Sequence, residues 1–131
     1  MGGEVTVLTL PYPPSANRLW RNIRGKTLKS AVYRAWLIEA GQVLFLQKPA
    51  SVTGQYRLMV IATRPDQRAR DIDNLIKPVS DLLAQCGVVS NDSKAQSVFA
   101  GWSMESTVPG GQIIVSVEPV TAPIFAMGKA A

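Results

Sequence analysis

Residues 56–93 read YRLMVIATRPDQRARDIDNLIKPVSDLLAQCGVVSNDS, and this stretch decides the fold. Its first part, Tyr56 to Thr63, is apolar on both faces, which is typical of a strand at the centre of a sheet. A polar segment follows, and then Leu75 to Cys86 carries apolar residues at helical spacing, with Gly87 well placed to end a helix. A central strand followed by a helix predicts a fold that mixes α and β structure.

The flanking segments extend this pattern in both directions. Upstream, residues 4–10 predict a strand that Pro11 ends, and Ser30 can cap a helix that runs to about Leu46. Downstream, apolar residues alternate in two runs, 98–104 and 113–117. The segment Pro109-Gly110-Gly111 lies between these runs, so they predict a β-hairpin.

The predicted order is therefore strand, helix, strand, helix, strand, strand. This order predicts an α+β fold with a single domain, in which one mixed β-sheet packs with two α-helices. The domain is expected to span residues 1–118, followed by a loose C-terminal tail at residues 119–131. The chain has 131 residues, which suits one domain with one core, and no window offers the roughly 18 apolar residues of a membrane span. We therefore expect no membrane partner.

The composition excludes several classes of catalytic site. The chain has no histidine, so a mechanism with an imidazole base or a zinc site with histidine ligands is excluded. Its one cysteine, Cys86, excludes an internal disulfide and favours a reducing compartment, which we expect to be the cytoplasm. Any chemistry must therefore rest on carboxylates, hydroxyls, lysine and arginine.

The net charge of +5 is distributed unevenly along the chain. From Val5 through Ile38 there is no acidic residue. Prolines, Asn17 and Gly25 indicate that the basic part of this segment is a loop, and Trp20 lies among its basic residues. A basic loop with an aromatic side chain suits phosphate binding and base stacking. The basic residues of this segment are Arg18, Arg21, Arg24, Lys26, Lys29 and Arg34.

Three aspartates surround the predicted second helix. Asp71 and Asp73 precede it and, in extended backbone, point to the same side, while Asp92 lies just past its far end. Carboxylates without nitrogen or sulfur ligands suit a hard cation such as Mg²⁺ or Mn²⁺, which could polarise a phosphodiester. Lys77 lies four residues beyond Asp73, where its ammonium could stabilise charge on a transition state.

The same residues also permit a purely structural interpretation. Asp73 or Asn74 can cap a helix, Asp73 with Lys77 is an ordinary i,i+4 pair, and Asp92 suits a turn. On this interpretation the protein is a non-catalytic nucleic-acid-binding module with the aspartates as helix caps. The residues by themselves leave both interpretations open.

Two motifs together resemble a known family. The loop PPSANRLWR at residues 13–21 and the segment RDIDNLIK at residues 70–77, followed by Asp81, Gly87 and Asn91-Asp92, resemble the RusA family of Holliday-junction resolvases. The similarity runs from about residue 5 to residue 117. The resemblance implies a bacterial or phage-encoded homodimer, a Mg²⁺-dependent endonuclease that nicks two strands of a four-way DNA junction symmetrically in recombination and repair.

The resemblance also assigns roles to individual residues. Asp71, Asp73 and Asp92 would bind the metal, Mg²⁺ or in its place Mn²⁺, and Lys77 would be the catalytic lysine that acts with them. Arg70 and Asn74 would support them. The residues that would hold DNA are Asn17, Arg18, Arg21, Arg24, Lys26, Lys29 and Arg68. A nuclease with a different structure specificity on the same scaffold is a further alternative.

Overall fold

The computed structural model describes residues 4–120, which form a four-stranded sheet, a separate two-stranded hairpin and two α-helices. The strands are β1 (Thr6–Leu10), β2 (Trp20–Ile23), β3 (Lys26–Lys29), β4 (Tyr56–Thr63), β5 (Ala95–Trp102) and β6 (Gln112–Pro119). The helices are α1 (Ala31–Leu46) and α2 (Ile76–Gln85), and short 3₁₀ helices lie at Ala16–Arg18, Ile72–Leu75 and Asp92–Lys94. The predicted loose tail lies outside the described residues from position 121 onward.

The four-stranded sheet has the order β1-β6-β4-β5, so β4 is central as predicted. It pairs antiparallel with β6 and parallel with β5. The predicted hairpin between the last two strands is wrong, because β4 lies between them. Residues 103–111 cross the end of β4 instead, where Ser103 and Val108 donate backbone hydrogen bonds to the carbonyls of Ala62 and Arg64. Since β5 follows β4 through a helix, it takes the parallel edge position.

The basic segment also differs from its prediction as a loop, because β2 and β3 pair antiparallel within it. The two residues between these strands, Arg24 and Gly25, have φ values of 50° and 78°. Two successive residues with positive φ form the tight turn that matches the twist of a two-residue hairpin. Asparagine or aspartate usually occupies the first of these positions, so the Arg-Gly pair gives a weak sequence signal.

Helix α1 begins as its sequence predicts, whereas α2 begins at Ile76 without a side-chain cap from Asp73 or Asn74. The Ser30 hydroxyl caps α1 by accepting a hydrogen bond from the Tyr33 amide at 3.0 Å, and it donates one to the Arg18 carbonyl. In α2, Pro78 is the third residue, so its missing N–H falls in the first turn, where no intrahelical partner is available. Pro78 therefore leaves the helix around Lys77 regular.

One face of the sheet carries the core, and the other is exposed. Alternate side chains of β1, β4 and β6 are buried together with α1 and α2. On the opposite face, Val7, Met59, Phe99 and Ile114 are each 41–59% exposed. Within residues 4–120, neither helix has the length and apolarity that a bilayer crossing requires.

Two glycine substitutions test this packing, because one is expected to raise and the other to lower the free energy of unfolding. Gly41 is buried in α1, and a Cβ there would lie 3.6 Å from the Cys86 Sγ, an ordinary contact. Gly41→Ala is expected to raise the free energy of unfolding by about 0.5–1 kcal/mol through helix propensity. Gly111 has φ +72°, and its Cβ would lie 2.8 Å from the Tyr12 ring. Gly111→Ala is expected to lower the unfolding free energy by at least roughly 1–2 kcal/mol.

Urea unfolding followed by circular dichroism measures both changes. A loss of stability in Gly41→Ala would contradict the packing of α1 against Cys86. Unchanged stability in Gly111→Ala would contradict the close approach of Tyr12.

Candidate active site

Asp71 and Asp73 lie where the chain leaves the central strand and turns into α2. Asp71 has extended backbone (φ −87°, ψ 125°) at the start of the 3₁₀ helix Ile72–Leu75, and its side chain makes no capping hydrogen bond. Asp73 lies in the first turn of that helix, and both aspartates are exposed. Asp71 lines a cavity of about 390 Å³, whose polar lining includes Tyr12, Ser15, Asn17, Arg68, Arg70 and Asn74.

Asp92 lies at the other end of α2, in the turn before β5. The cap of this turn is Asn91, whose side-chain oxygen accepts a hydrogen bond from the Ser93 amide at 2.8 Å. Because the amide of Asn91 does the capping, the exposed carboxylate of Asp92 is not used for it. Asp92 lines a second cavity, of about 430 Å³, together with Lys29, Asp81 and Asn91.

The aspartates of this region fall into two groups. Within residues 4–120, the carboxylates of Asp71, Asp73 and Asp92 accept no hydrogen bond and enter no ion pair. By contrast, Asp66 pairs with two arginines and Asp81 with a lysine. The capping interpretation is therefore wrong for the first group, since none of its side chains caps a helix.

The three unpaired carboxylates do not form a ready-made ligand group. Within the described part of the chain, no three acidic or cysteine side chains are grouped so that they could hold a metal ion. Asp71 and Asp92 line different cavities. The chemistry of these oxygens nevertheless fits a hard divalent cation, and carboxylates repel one another until a cation lies between them. The metal site stays a prediction.

Lys77 forms an ion pair with Asp81, and not with Asp73, at a distance of 2.9 Å between Nζ and Oδ1. The other oxygen of Asp81 accepts a hydrogen bond from the hydroxyl of Tyr33, which lies on α1. Burial and the neighbouring Asp81 raise the pKa of Tyr33 far above its ordinary value, so the hydroxyl keeps its proton and donates. The i,i+4 spacing of Lys77 and Asp81 was visible in the sequence, but the contact with Tyr33 was not.

Arg70 is held firmly beside Asp71. Its Nη2 lies 2.9 Å from each carboxylate oxygen of Asp66, and its guanidinium lies 5.7 Å from the centre of the Tyr12 ring. The Arg70 Nε is buried and has no hydrogen-bond partner among residues 4–120. The Arg68 amide and the Arg70 side chain, both donating to Asp66, lower the pKa of that carboxyl. Sequence reasoning missed the roles of Asp66 and Tyr12.

Six of the seven predicted DNA-binding residues form two groups on the surface. Arg21, Arg24 and Lys26 are exposed along the hairpin of β2 and β3. Asn17, Arg18 and Arg68 lie on the Asp71 side, where the 390 Å³ cavity adjoins a larger one of about 640 Å³. The larger cavity is lined in part by Pro13, Pro14, Arg18, Trp36, Arg68 and Arg70. Lys29 instead lines the cavity of Asp92.

One buried group lies near Asp92. Tyr56 is fully buried, and its hydroxyl has no hydrogen-bond partner within residues 4–120. Burial, and secondly the charge of Asp92, raise the pKa of Tyr56. Sequence reasoning assigned Tyr56 only to a strand.

The pairing of Asp66 predicts a pH-dependent stability. Its folded pKa lies below the ordinary value of 3.8, so its stabilisation is present above that value and is lost as the pH falls through the folded pKa. Asp66→Asn is therefore expected to have a lower Tm than the wild type at pH 7, and the difference is expected to shrink towards pH 2. Differential scanning calorimetry across this pH range measures it, and a constant Tm difference would contradict the ionic origin.

Comparison with known proteins identifies the family. The family model described as Endodeoxyribonuclease RusA matches residues 11–118. The chain is 30% identical over 109 residues to the crossover junction endodeoxyribonuclease of Enterobacteria phage HK97, an alignment that covers 82% of this chain and 89% of the relative. It is 32% identical over 88 residues to the protein of the same description from Escherichia coli strain K12, covering 66% and 73%. The resemblance predicted from the motifs is confirmed, and the chain belongs to the RusA family of endodeoxyribonucleases.

Proposed function

We propose that this protein resolves four-way DNA junctions by paired, symmetric nicks that depend on Mg²⁺, with Mn²⁺ able to substitute. One observation carries the proposal. Within residues 4–120, the three aspartates of the motif form no ion pair, whereas the other aspartates of the region, Asp66 and Asp81, are neutralised by basic residues. Exposed carboxylates without a positive partner repel the phosphates of bound DNA, and a bound cation removes this repulsion.

The charged residues near the motif have different proposed roles in the reaction. Asp71, Asp73 and Asp92 would hold the metal, which when bound polarises the phosphodiester and lowers the pKa of a water molecule. Lys77 presents an ammonium that stabilises the negative charge of the transition state. Arg70, fixed by Asp66, adds a positive charge beside Asp71.

DNA would contact the protein through its basic residues. The hairpin of β2 and β3 reaches outward with exposed arginine and lysine side chains, and such contacts position the phosphate backbone without reading its sequence. Asn17, Arg68 and Asn74 line the cavity of Asp71, and Arg18 lines the larger cavity beside it. The relatives' description as crossover junction endodeoxyribonucleases supports branched DNA as the substrate. We propose that the protein meets this DNA in the cytoplasm of a bacterium.

A homodimer fits both the substrate and the exposed face of the sheet. A four-way junction has two-fold symmetry, so paired cuts require two identical sites related by a two-fold axis. The face with Val7, Met59, Phe99 and Ile114 exposes apolar side chains from all four strands, and no described helix covers it. On the same face, Arg57 and Glu118 form a partly exposed ion pair at 3.0 Å. A second copy would supply both an apolar surface and charges of both signs.

The first prediction from this function concerns the aspartates. Asp71→Asn and Asp73→Asn are each expected to lower the rate of junction cleavage by at least about a hundredfold, because each removes a charged metal ligand. Junction affinity is expected to stay the same or to rise, since a charge that repels phosphate is removed. Cleavage of a labelled four-way junction and of a matching linear duplex, with and without Mg²⁺, measures the rate, and a mobility-shift assay measures the affinity.

The controls separate the alternatives. Asp66→Asn alters an aspartate that is paired with Arg70 and is not proposed to hold the metal, so it is expected to lower the cleavage rate much less than Asp71→Asn. Full activity in Asp71→Asn would exclude this site, and equal cutting of both DNAs would indicate a different structure specificity. Binding without cleavage under any divalent ion, and without a rise in Tm when Mg²⁺ is added, would favour the binding module.

The second prediction concerns the dimer. Phe99→Glu places a charge on the exposed face of the sheet and is expected to convert a dimer of about twice 14.2 kDa into monomers. Analytical ultracentrifugation measures the mass. The matched control is Leu46→Glu, because Leu46 is 81% exposed at the end of α1, away from this face. A monomeric wild type, or dissociation by Leu46→Glu alone, would contradict the proposed surface.

A further inference from the structure

We propose that Asp81 and Tyr33 are positioning residues that together hold the ammonium of Lys77 in one place. This inference rests on the proposed catalytic role of Lys77 and extends it to two residues that the function has not yet used. Asp81 contacts Lys77 directly, and Tyr33 acts through Asp81. Neither Asp81 nor Tyr33 is proposed to touch the DNA or the metal.

Both oxygens of the Asp81 carboxylate have a partner. Its Oδ1 lies 2.9 Å from the Lys77 Nζ, and its Oδ2 accepts the hydrogen bond of the Tyr33 hydroxyl. The Asp81 side chain is only 15% exposed, whereas that of Lys77 is 55% exposed. A mobile, solvated lysine is thus tied to a nearly buried anion whose two oxygens have separate partners.

Tyr33 is itself rigid. It is completely buried at the start of α1, and the Trp36 ring stacks beside it at a centroid distance of 6.4 Å. Trp20, from β2, meets it edge-on at 5.8 Å, and the Lys29 ammonium lies 5.9 Å from its centre. The hydroxyl that orients Asp81 therefore belongs to a buried side chain that packs between two tryptophan rings.

This arrangement has a physical consequence for Lys77. An exposed i,i+4 ion pair orders its lysine weakly, since two flexible side chains must be held in one geometry. Here one partner is already held by a partly buried hydrogen bond, so less conformational freedom is lost when the lysine pairs. A pre-positioned ammonium serves a transition state better than one that must be ordered during the reaction.

The arrangement also links catalysis to DNA binding. Trp20 and Lys29 lie at the base of the basic hairpin, and both contact the ring that orients Asp81. The same base is joined to α1, because the Ser30 amide donates to the Leu19 carbonyl and the Ser30 hydroxyl donates to the Arg18 carbonyl. The surface proposed to hold DNA and the lysine proposed to act on it thus share one rigid support.

A double-mutant cycle tests the inference. Asp81→Asn keeps the size of the side chain and an oxygen for Tyr33 but removes the charge that holds Lys77. Under single-turnover conditions with saturating junction, Asp81→Asn is expected to slow cleavage about tenfold in the wild-type chain, with junction Kd changed less than about twofold. In the Lys77→Ala background the same substitution is expected to change the residual rate by less than about twofold. An equal loss in both backgrounds, or none in the wild-type chain, would overturn the proposal.

A second measurement does not depend on cleavage. Acetylation of lysines by a limiting reagent, followed by peptide mass spectrometry, reports how well each ammonium is protected. Lys77 is expected to react more slowly than Lys48, which forms no ion pair within residues 4–120, and to become at least about threefold more reactive in Asp81→Asn and Tyr33→Phe. Lys48 serves as the internal control in every sample.

The two measurements have separate outcomes. If the wild-type chain cleaves no junction with any divalent ion, the proposed function fails, while the acetylation pattern still decides whether Asp81 and Tyr33 hold Lys77. If both variants leave the reactivity of Lys77 unchanged, the positioning role is overturned even when the junction is cleaved. Because Tyr33→Phe removes only a hydroxyl from a packed ring, circular dichroism at the assay temperature establishes that the variant is folded.

Discussion

The pairing of β4 with β5 is the constraint on which the rest of the site depends. These strands run parallel along seven pairs of residues, so the chain that leaves the end of β4 must return to its start before β5 can begin. The 3₁₀ helix Ile72–Leu75 and α2 make this return. The crossover therefore carries Asp71, Asp73 and Lys77 on its first half and delivers Asp92 at the point where β5 begins.

Charge pairing then decides which acidic groups are available. In the loop after β4, Asp66 forms ion pairs with Arg68 and Arg70. On α2, Asp81 pairs with Lys77 of the same helix and accepts a hydrogen bond from Tyr33 of α1. Each of these pairs stabilises a local conformation while it orients a basic side chain. In the part of the chain that the structure describes, Asp71, Asp73 and Asp92 form no ion pair, although the chain has a net charge of +5. Free carboxylate oxygens are the ligands that a hard cation prefers.

The strength of each local signal explains which predictions were confirmed. Tyr56 to Thr63 was recognised as central because apolar residues occupy both of its faces, although the structure buries only one face fully. The cap at Ser30 follows from its hydroxyl alone. The hairpin predicted from Pro109-Gly110-Gly111 was wrong, since a turn signal shows that the chain reverses but not which strand lies beside it. The β2–β3 hairpin was missed because Arg24 occupies the turn position where asparagine or aspartate is usual.

The sequence by itself determined the two helices, the central strand, the absence of histidine chemistry and the family, because these depend on residue types and on spacing along the chain. Only the tertiary structure decided the strand order, since hydrogen bonding between strands distant in sequence leaves no local pattern. It also decided that Tyr33 meets Asp81, 48 residues away, and that Asp71 and Asp92 line different cavities. Such contacts arise when packed elements bring side chains together, so spacing along the chain does not encode them.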